Sequence, residues 1–169
     1  RSCRTWIAEG VWSSGRQRIY HFGGFALAYT PVGRDGTLGY MVDNANIKPL
    51  QLRHPIRVSP DGNRAVTGSG HVFDANSLDH LGTLSSEMVD GAWLGAELVT
   101  LRRDGLYWQP SELADAERVA EISGFGRGVF TTPSGRIVTV VEQGASTVLA
   151  VYDRTFQVLT PPLFADGFD

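Results

Sequence analysis

Short apolar runs alternate with Gly- and Pro-containing turns along almost the whole chain. The clearest example is Arg57-Val58-Ser59-Pro60-Asp61-Gly62-Asn63-Arg64-Ala65-Val66-Thr67, which closes at Val72-Phe73-Asp74. A second copy runs Phe130-Thr131-Thr132-Pro133-Ser134-Gly135-Arg136-Ile137-Val138-Thr139 and closes at Val151-Tyr152-Asp153. Both predict a strand, a Pro-x-Gly turn, a second strand, a second turn, and a third strand ending in an aromatic residue followed by Asp. Pro presets φ at the second turn position, and Gly accepts a positive φ after it. The β-branched run Ile137-Val138-Thr139-Val140-Val141 suits a pleated surface. Each copy continues into a further apolar stretch, Leu81 to Leu84 and Phe156 to Leu159. Thr155 to Leu159 alternates polar and apolar, as a half-exposed strand does.

Two weaker copies exist. Trp93 to Leu101 is followed by Asp104-Gly105 and Leu106-Tyr107-Trp108, and Val11 to Gly15 turns into Arg18 to Phe22 and then Phe25 to Tyr29. Aligning the second strands places Ile19, Val66, Val99 and Val138 in register, at separations of 47, 33 and 39 residues. These bracket the roughly 40–45 residues of a four-stranded propeller blade. An opening element also recurs, as Glu9-Gly10-Val11-Trp12, Asp90-Gly91-Ala92-Trp93 and Asp166-Gly167-Phe168, with Gly126 to Phe130 as a fourth version. The expected fold is all-β, an antiparallel β-propeller domain with blades over 9–46, 47–88, 89–124 and 125–162. Residues 163–169 would begin a further strand. Ser111 to Ile122 conflicts with this pattern, because by propensity it is the best helix in the chain. The repeat register instead makes 110–116 a turn and Glu117 to Ile122 an outer strand, and the register is followed here, with one helical turn allowed near Ser111 to Asp115. Asp43 to Pro49 is polar and aperiodic, and reads as a loop.

These motifs carry a family resemblance. Val58-Ser59-Pro60-Asp61-Gly62, Val66 to Gly70 and Val72-Phe73-Asp74 resemble a WD repeat, with Phe73-Asp74 and Tyr152-Asp153 standing where that family keeps its Trp-Asp pair. Val72 to Leu84 is also similar to blades of YVTN-type bacterial propellers. The resemblance is good over 57–84 and 129–160. No Gly-His pair stands at the openings of the repeats, so the buried His–Asp network of typical WD repeats is not implied. What the resemblance implies is a rigid platform that binds protein or peptide, with a minority of such folds being enzymes.

Composition adds bounds. The chain has 169 residues, 42% hydrophobic and 20% charged, enough for one ordinary domain and too apolar for a disordered one. Its net charge of −3 argues against a nucleic-acid binder, and no apolar run reaches the roughly 20 residues of a membrane helix. Of 15 basic residues only Lys48 is Lys. The arginines are scattered, which fits codon bias better than a phosphate surface. The single cysteine, Cys3, excludes an internal disulfide framework and fits a reducing cytoplasm, though also a disulfide-free exported protein. The sequence begins at Arg1 without an initiator Met or a visible signal peptide. Together with the blade count, this leads to the expectation of a piece of a larger propeller rather than a ring closed at four blades.

Catalytic motifs are sparse. His21, His54, His71 and His80 lack zinc-site spacing and read as ordinary strand or surface histidines. Gly144-Ala145-Ser146-Thr147-Val148 lacks the last glycine of a nucleophile elbow. Gly124-Phe125-Gly126-Arg127-Gly128 lacks the helix that a phosphate loop opens and reads as a flexible crossing between blades. Asp35-Gly36 and Asp61-Gly62 read as turns rather than calcium loops. No catalytic residue, metal site or cofactor is therefore assigned. Trp and Tyr near a rim anchor partners well, and Trp12, Trp93 and Arg127 are the candidate partner-binding residues. The expected function is a non-enzymatic binding or scaffold module that engages a protein or peptide, or the rest of the same propeller. The alternatives are part of a propeller enzyme, a lyase or lactonase-like hydrolase with Glu9, Asp90 and Asp166 converging, or a sensor propeller attached to a larger catalytic chain.

Overall fold

The computed structural model describes residues 10–24, 26–44 and 50–159. The chain divides into two compact units, Arg1–Leu84 and Ser85–Asp169. In the first unit, β1 (Val11–Ser13), β2 (Arg18–Gly23), β3 (Ala26–Pro31) and β4 (Val42–Asp43) form one sheet. A second sheet is made by β5 (Ile56–Val58), β6 (Arg64–Thr67), β7 (His71–Asp74) and β8 (His80–Thr83). The second unit holds a sheet of β9 (Asp90–Leu94), β10 (Glu97–Arg102), β11 (Gly105–Gln109) and β12 (Glu117–Glu121). Its other sheet is β13 (Phe125–Thr131), β14 (Ile137–Gln143) and β15 (Ser146–Tyr152). Every pairing is antiparallel between strands consecutive in sequence, and no helix occurs among the described residues. Four up-and-down antiparallel sheets in series are the blades of a β-propeller. The aligned residues Ile19, Val66, Val99 and Val138 all fall on second strands.

The two strongest repeats close in the same way. Gly62 N–H donates to the Ser59 carbonyl at 2.8 Å, and Gly135 N–H to the Thr132 carbonyl at 2.9 Å. The Ser59 hydroxyl accepts the Arg64 N–H at 2.9 Å and the Thr132 hydroxyl accepts that of Arg136 at 3.0 Å. Both glycines sit at positive φ, 72° and 78°, where a side chain would be strained.

Each unit buries facing sides of its own two sheets. Tyr20 and Leu27 from one sheet meet Ile56, Ala65 and Phe73 from the other in the first unit. In the second, Val99, Leu101 and Leu106 meet Val129, Ile137 and Tyr152. Fully buried side chains of this size are worth about 1.5–3 kcal/mol each against exposure. Polar ties join the paired sheets. Tyr20 Oη donates to the Ala75 carbonyl at 2.8 Å, and the Asp90 carboxylate accepts the Val129 N–H at 3.0 Å.

Two expectations need correction, and a third holds. Thr155 to Leu159 is a strand only in its second half, where the Asp153 N–H donates to the Gln157 carbonyl at 3.0 Å and the Leu159 N–H to the Val151 carbonyl at 2.7 Å around a bridge from Tyr152 to Val158. The Asp153 carboxylate accepts the N–H groups of Thr155 and Gln157 at 2.8 and 3.0 Å and bends the chain first. Gly124 to Gly128 is not a flexible crossing. It enters β13, with a bulge at Arg127 between Gly126 and Gly128. A Cβ on Gly126 would lie 2.7 Å from Leu101 Cδ2, so this glycine lets β13 approach β10 of the neighbouring sheet. Within Ser111 to Ile122 the strand pairing overrides helix propensity, as β12 shows. The buried Gln109 side chain donates to the carbonyls of Ser111 and Glu112 at 3.1 and 2.9 Å and holds the preceding loop as a turn. Glu9, Asp166, Cys3, the end of the 43–49 loop and the further strand expected over 163–169 lie outside the described residues.

A candidate binding groove

The turn that interrupts the last strand builds one wall of a cavity of about 450 Å³ in the second unit. Asp153 Oδ1 receives the Thr155 hydroxyl at 2.7 Å in addition to the two backbone N–H groups. These bonds hold its carboxyl below the usual carboxylate value, the Thr155 hydroxyl contributing most and the Gln157 N–H next. They present Arg154, Thr155 and Phe156 to the cavity. Phe156 takes a φ of 60°, a strained setting for a bulky residue, fixed by its N–H on the Asp153 carbonyl at 3.1 Å. The opposite wall is Trp108 on β11 with Glu117, Arg118 and Val119 on β12, and Glu97 opens β10 beside them.

Trp108, Val119 and Phe156 rest on the buried core of the unit and are only partly covered. Their free faces give the groove an apolar floor, and Glu97, Glu117, Arg118 and Arg154 give it both signs of charge. Arg118 is held in place by Glu121 at 3.2 Å and by the Asp104 carbonyl. Asp104 in turn accepts the Tyr107 hydroxyl at 2.7 Å, which is the main reason its carboxyl sits below the ordinary value. Among the described residues β12 is the last strand of its sheet, paired only with β11, and an edge strand of this kind can accept an added strand. Such an arrangement can hold an extended segment, with one apolar side chain between the two aromatics and charged groups at the rims.

The three residues singled out by sequence lie elsewhere. Trp12 is 48% exposed on β1 in the first unit. Trp93 is 8% exposed on β9. Its carbonyl accepts the Thr131 hydroxyl at 2.8 Å, and its indole N–H is buried without a partner. Arg127 projects from the β13 bulge and pairs with Glu142 at 2.6 Å, with 59% and 41% of the two side chains exposed. The groove residues escaped notice because Trp108 and Phe156 each look like core positions of separate strands.

The same turn logic recurs at Asp74. Its carboxylate accepts the N–H groups of Asn76 and Ser77 at 2.8 and 3.0 Å, and pairs with Arg64 at 3.5 Å. The Ser77 N–H is the chief cause of a carboxyl value below the ordinary 3.8. A depressed folded value means that the stabilisation is complete above the unfolded value and is lost as pH falls through the folded one. Urea midpoints of the parent chain should therefore fall when pH is lowered from 6 to 3. Asp74→Asn should be less stable than the parent at pH 6 and lose less over the same interval.

Among the histidines, His21 is buried, with its Nε2 3.0 Å from the Thr30 hydroxyl. His54 packs its ring on Phe22 at 4.5 Å between centroids. His71 and His80 meet across β7 and β8, Nδ1 to Nε2 at 3.2 Å. Burial first, and His80 second, hold His71 below the usual imidazole value. Asp90, one of the recurring acids, is 2% exposed and bonded to backbone N–H groups. Among the described residues no three His, Cys, Asp or Glu side chains stand together as a metal-binding group.

No protein-family profile and no curated protein matches the chain. Solved structures do. A chain of the mitotic checkpoint complex superposes with a TM-score of 0.61 at 15% identity, covering 85% of this chain and 45% of that one. A gluconolactonase from Xanthomonas campestris gives 0.59 at 14% identity, covering 89% and 59%. A putative 6-phosphogluconolactonase from Bacteroides uniformis gives 0.60 at 18% identity, covering 89% and 52%. The likeness establishes a β-propeller fold and spans about half of each of these chains. Its members differ in role, from a component of a protein complex to lactonases, so the fold alone does not select a function.

Proposed function

We propose that the chain is a non-enzymatic propeller module that binds an extended protein or peptide segment, and that the second unit's groove is where it does so. The observation that carries this reading is the Trp108–Phe156 floor between charged walls, with the edge strand β12 alongside. Aromatic and Arg side chains in partly desolvated clefts supply most of the binding energy at protein interfaces. The similarity to a chain of a protein complex agrees with a protein partner. The exposed Trp12 and Arg127 extend the list of surfaces to test, and Trp93 would contribute from beneath the surface.

Peptide-display selection against the purified chain, followed by titration of the selected peptide, tests the proposal. Trp108→Ala should weaken binding by about 30-fold, the equivalent of a 2 kcal/mol anchor. Arg154→Glu, a change that spares the core, should weaken it about tenfold and shift the charge preference of selected peptides. Binding that survives both changes, but is lost with Trp12→Ala or Arg127→Ala, would move the site. Hydrolysis of a lactone by the chain would favour the enzyme reading instead.

A further inference from the structure

His71 and His80 are nine residues apart in sequence, yet Nδ1 of the first stands 3.2 Å from Nε2 of the second. The Thr83 hydroxyl lies 3.4 Å from the same Nδ1. Two imidazole nitrogens bound at about 2.0–2.1 Å to one ion stand roughly 2.9–3.4 Å apart, for bond angles from a right angle to tetrahedral. The observed separation falls inside that window before any ion arrives. The backbone fixes it. His71 is paired with Thr83 and Phe73 with His80, and a register shift between Val72 and Phe73 re-aims the facing side chains. The fully buried Phe73 ring backs both imidazoles, at 6.5 and 5.4 Å between centroids.

We propose that His71 and His80 form a binding site for a borderline divalent transition-metal ion, with the Thr83 hydroxyl beside it and water in the remaining positions. Imidazole donors suit copper, nickel and zinc rather than calcium or magnesium. Without metal, one ring donates its N–H to the other. Binding needs both facing lone pairs, so the donor ring's proton passes through solvent to its other nitrogen. Two neutral imidazoles then hold the ion, with no net proton released. This inference is independent of the groove.

The test is calorimetric titration of the chelator-stripped chain with Cu²⁺, Ni²⁺ or Zn²⁺ alone. One equivalent should bind, with copper tightest. His71→Gln and His80→Gln should each weaken binding tenfold or more, since even residues behind the ligands cost about 10–100-fold. His54→Gln should bind as the parent does. Thermal unfolding without metal checks that each variant is folded, and the exposed His80 supplies a variant that leaves the core intact. Absence of saturable binding, or one-equivalent binding unchanged in His80→Gln, would overturn the proposal.

Discussion

Asp90→Ala is expected to destabilise the Ser85–Asp169 unit by about 3–5 kcal/mol, because hydrogen bonds to a charged acceptor are worth roughly 1.5–3 kcal/mol each. Asp90 is 2% exposed, and its two oxygens accept the Gly91 N–H at 2.8 Å and the Val129 N–H at 3.0 Å. The second bond ties β9 to β13 and so joins the two sheets of the unit. Truncation leaves a buried N–H without its acceptor, which costs more than the bond itself contributes. Asp90→Asn should recover little. Its amide has one acceptor oxygen, and its NH₂ would face the other N–H donor. Urea unfolding gives the loss of stability, and amide exchange at Val129 gives its location. A drop of less than about 1 kcal/mol, within the range of an ordinary neutral hydrogen bond, would show that the carboxylate does not hold the sheets together.

Asp90 also marks how far sequence reasoning reached. The period of strands and turns was legible because each repeat carries its own turn chemistry, Ser59-Pro60-Asp61-Gly62 and Thr132-Pro133-Ser134-Gly135. Tertiary register could therefore outvote helix propensity over Glu117 to Glu121. The acids at the openings of the repeats were visible as a recurrence, but not what Asp90 bonds to, since its partner lies 39 residues further on. The groove was illegible for a related reason. It depends on Asp153 capturing the N–H groups of Thr155 and Gln157, a local contest that alternation of apolar residues does not record. The His71–His80 meeting required the register shift in β7–β8, and no spacing rule encodes a bulge.

Gly68→Ala should be the most damaging single methyl in the first unit, while the same change at Gly15 should be nearly silent. A Cβ on Gly68 would stand 2.0 Å from the His54 carbonyl oxygen and 2.5 Å from its carbon. Both obstacles are backbone, so no side chain can swing aside. Nor can the glycine retreat, because its N–H is shared between the carbonyls of Arg53 at 2.8 Å and Pro55 at 2.7 Å. Separating the 53–55 segment from the end of β6 would break those bonds and expose Ile56, which is 1% accessible. Overpacking costs about 1–3 kcal/mol even where side chains can adjust. With rigid neighbours the expected loss is at least about 3 kcal/mol. A Cβ on Gly15 meets nothing within 4 Å, and replacing an unhindered glycine stiffens the unfolded chain, so the change there should lie within about 0.5 kcal/mol of zero or slightly stabilise. Paired urea melts of the two variants decide the matter, since both residues read from sequence as turn glycines and only the space around them differs. Equal effects would mean that the 53–55 segment does not pack on Gly68 in solution.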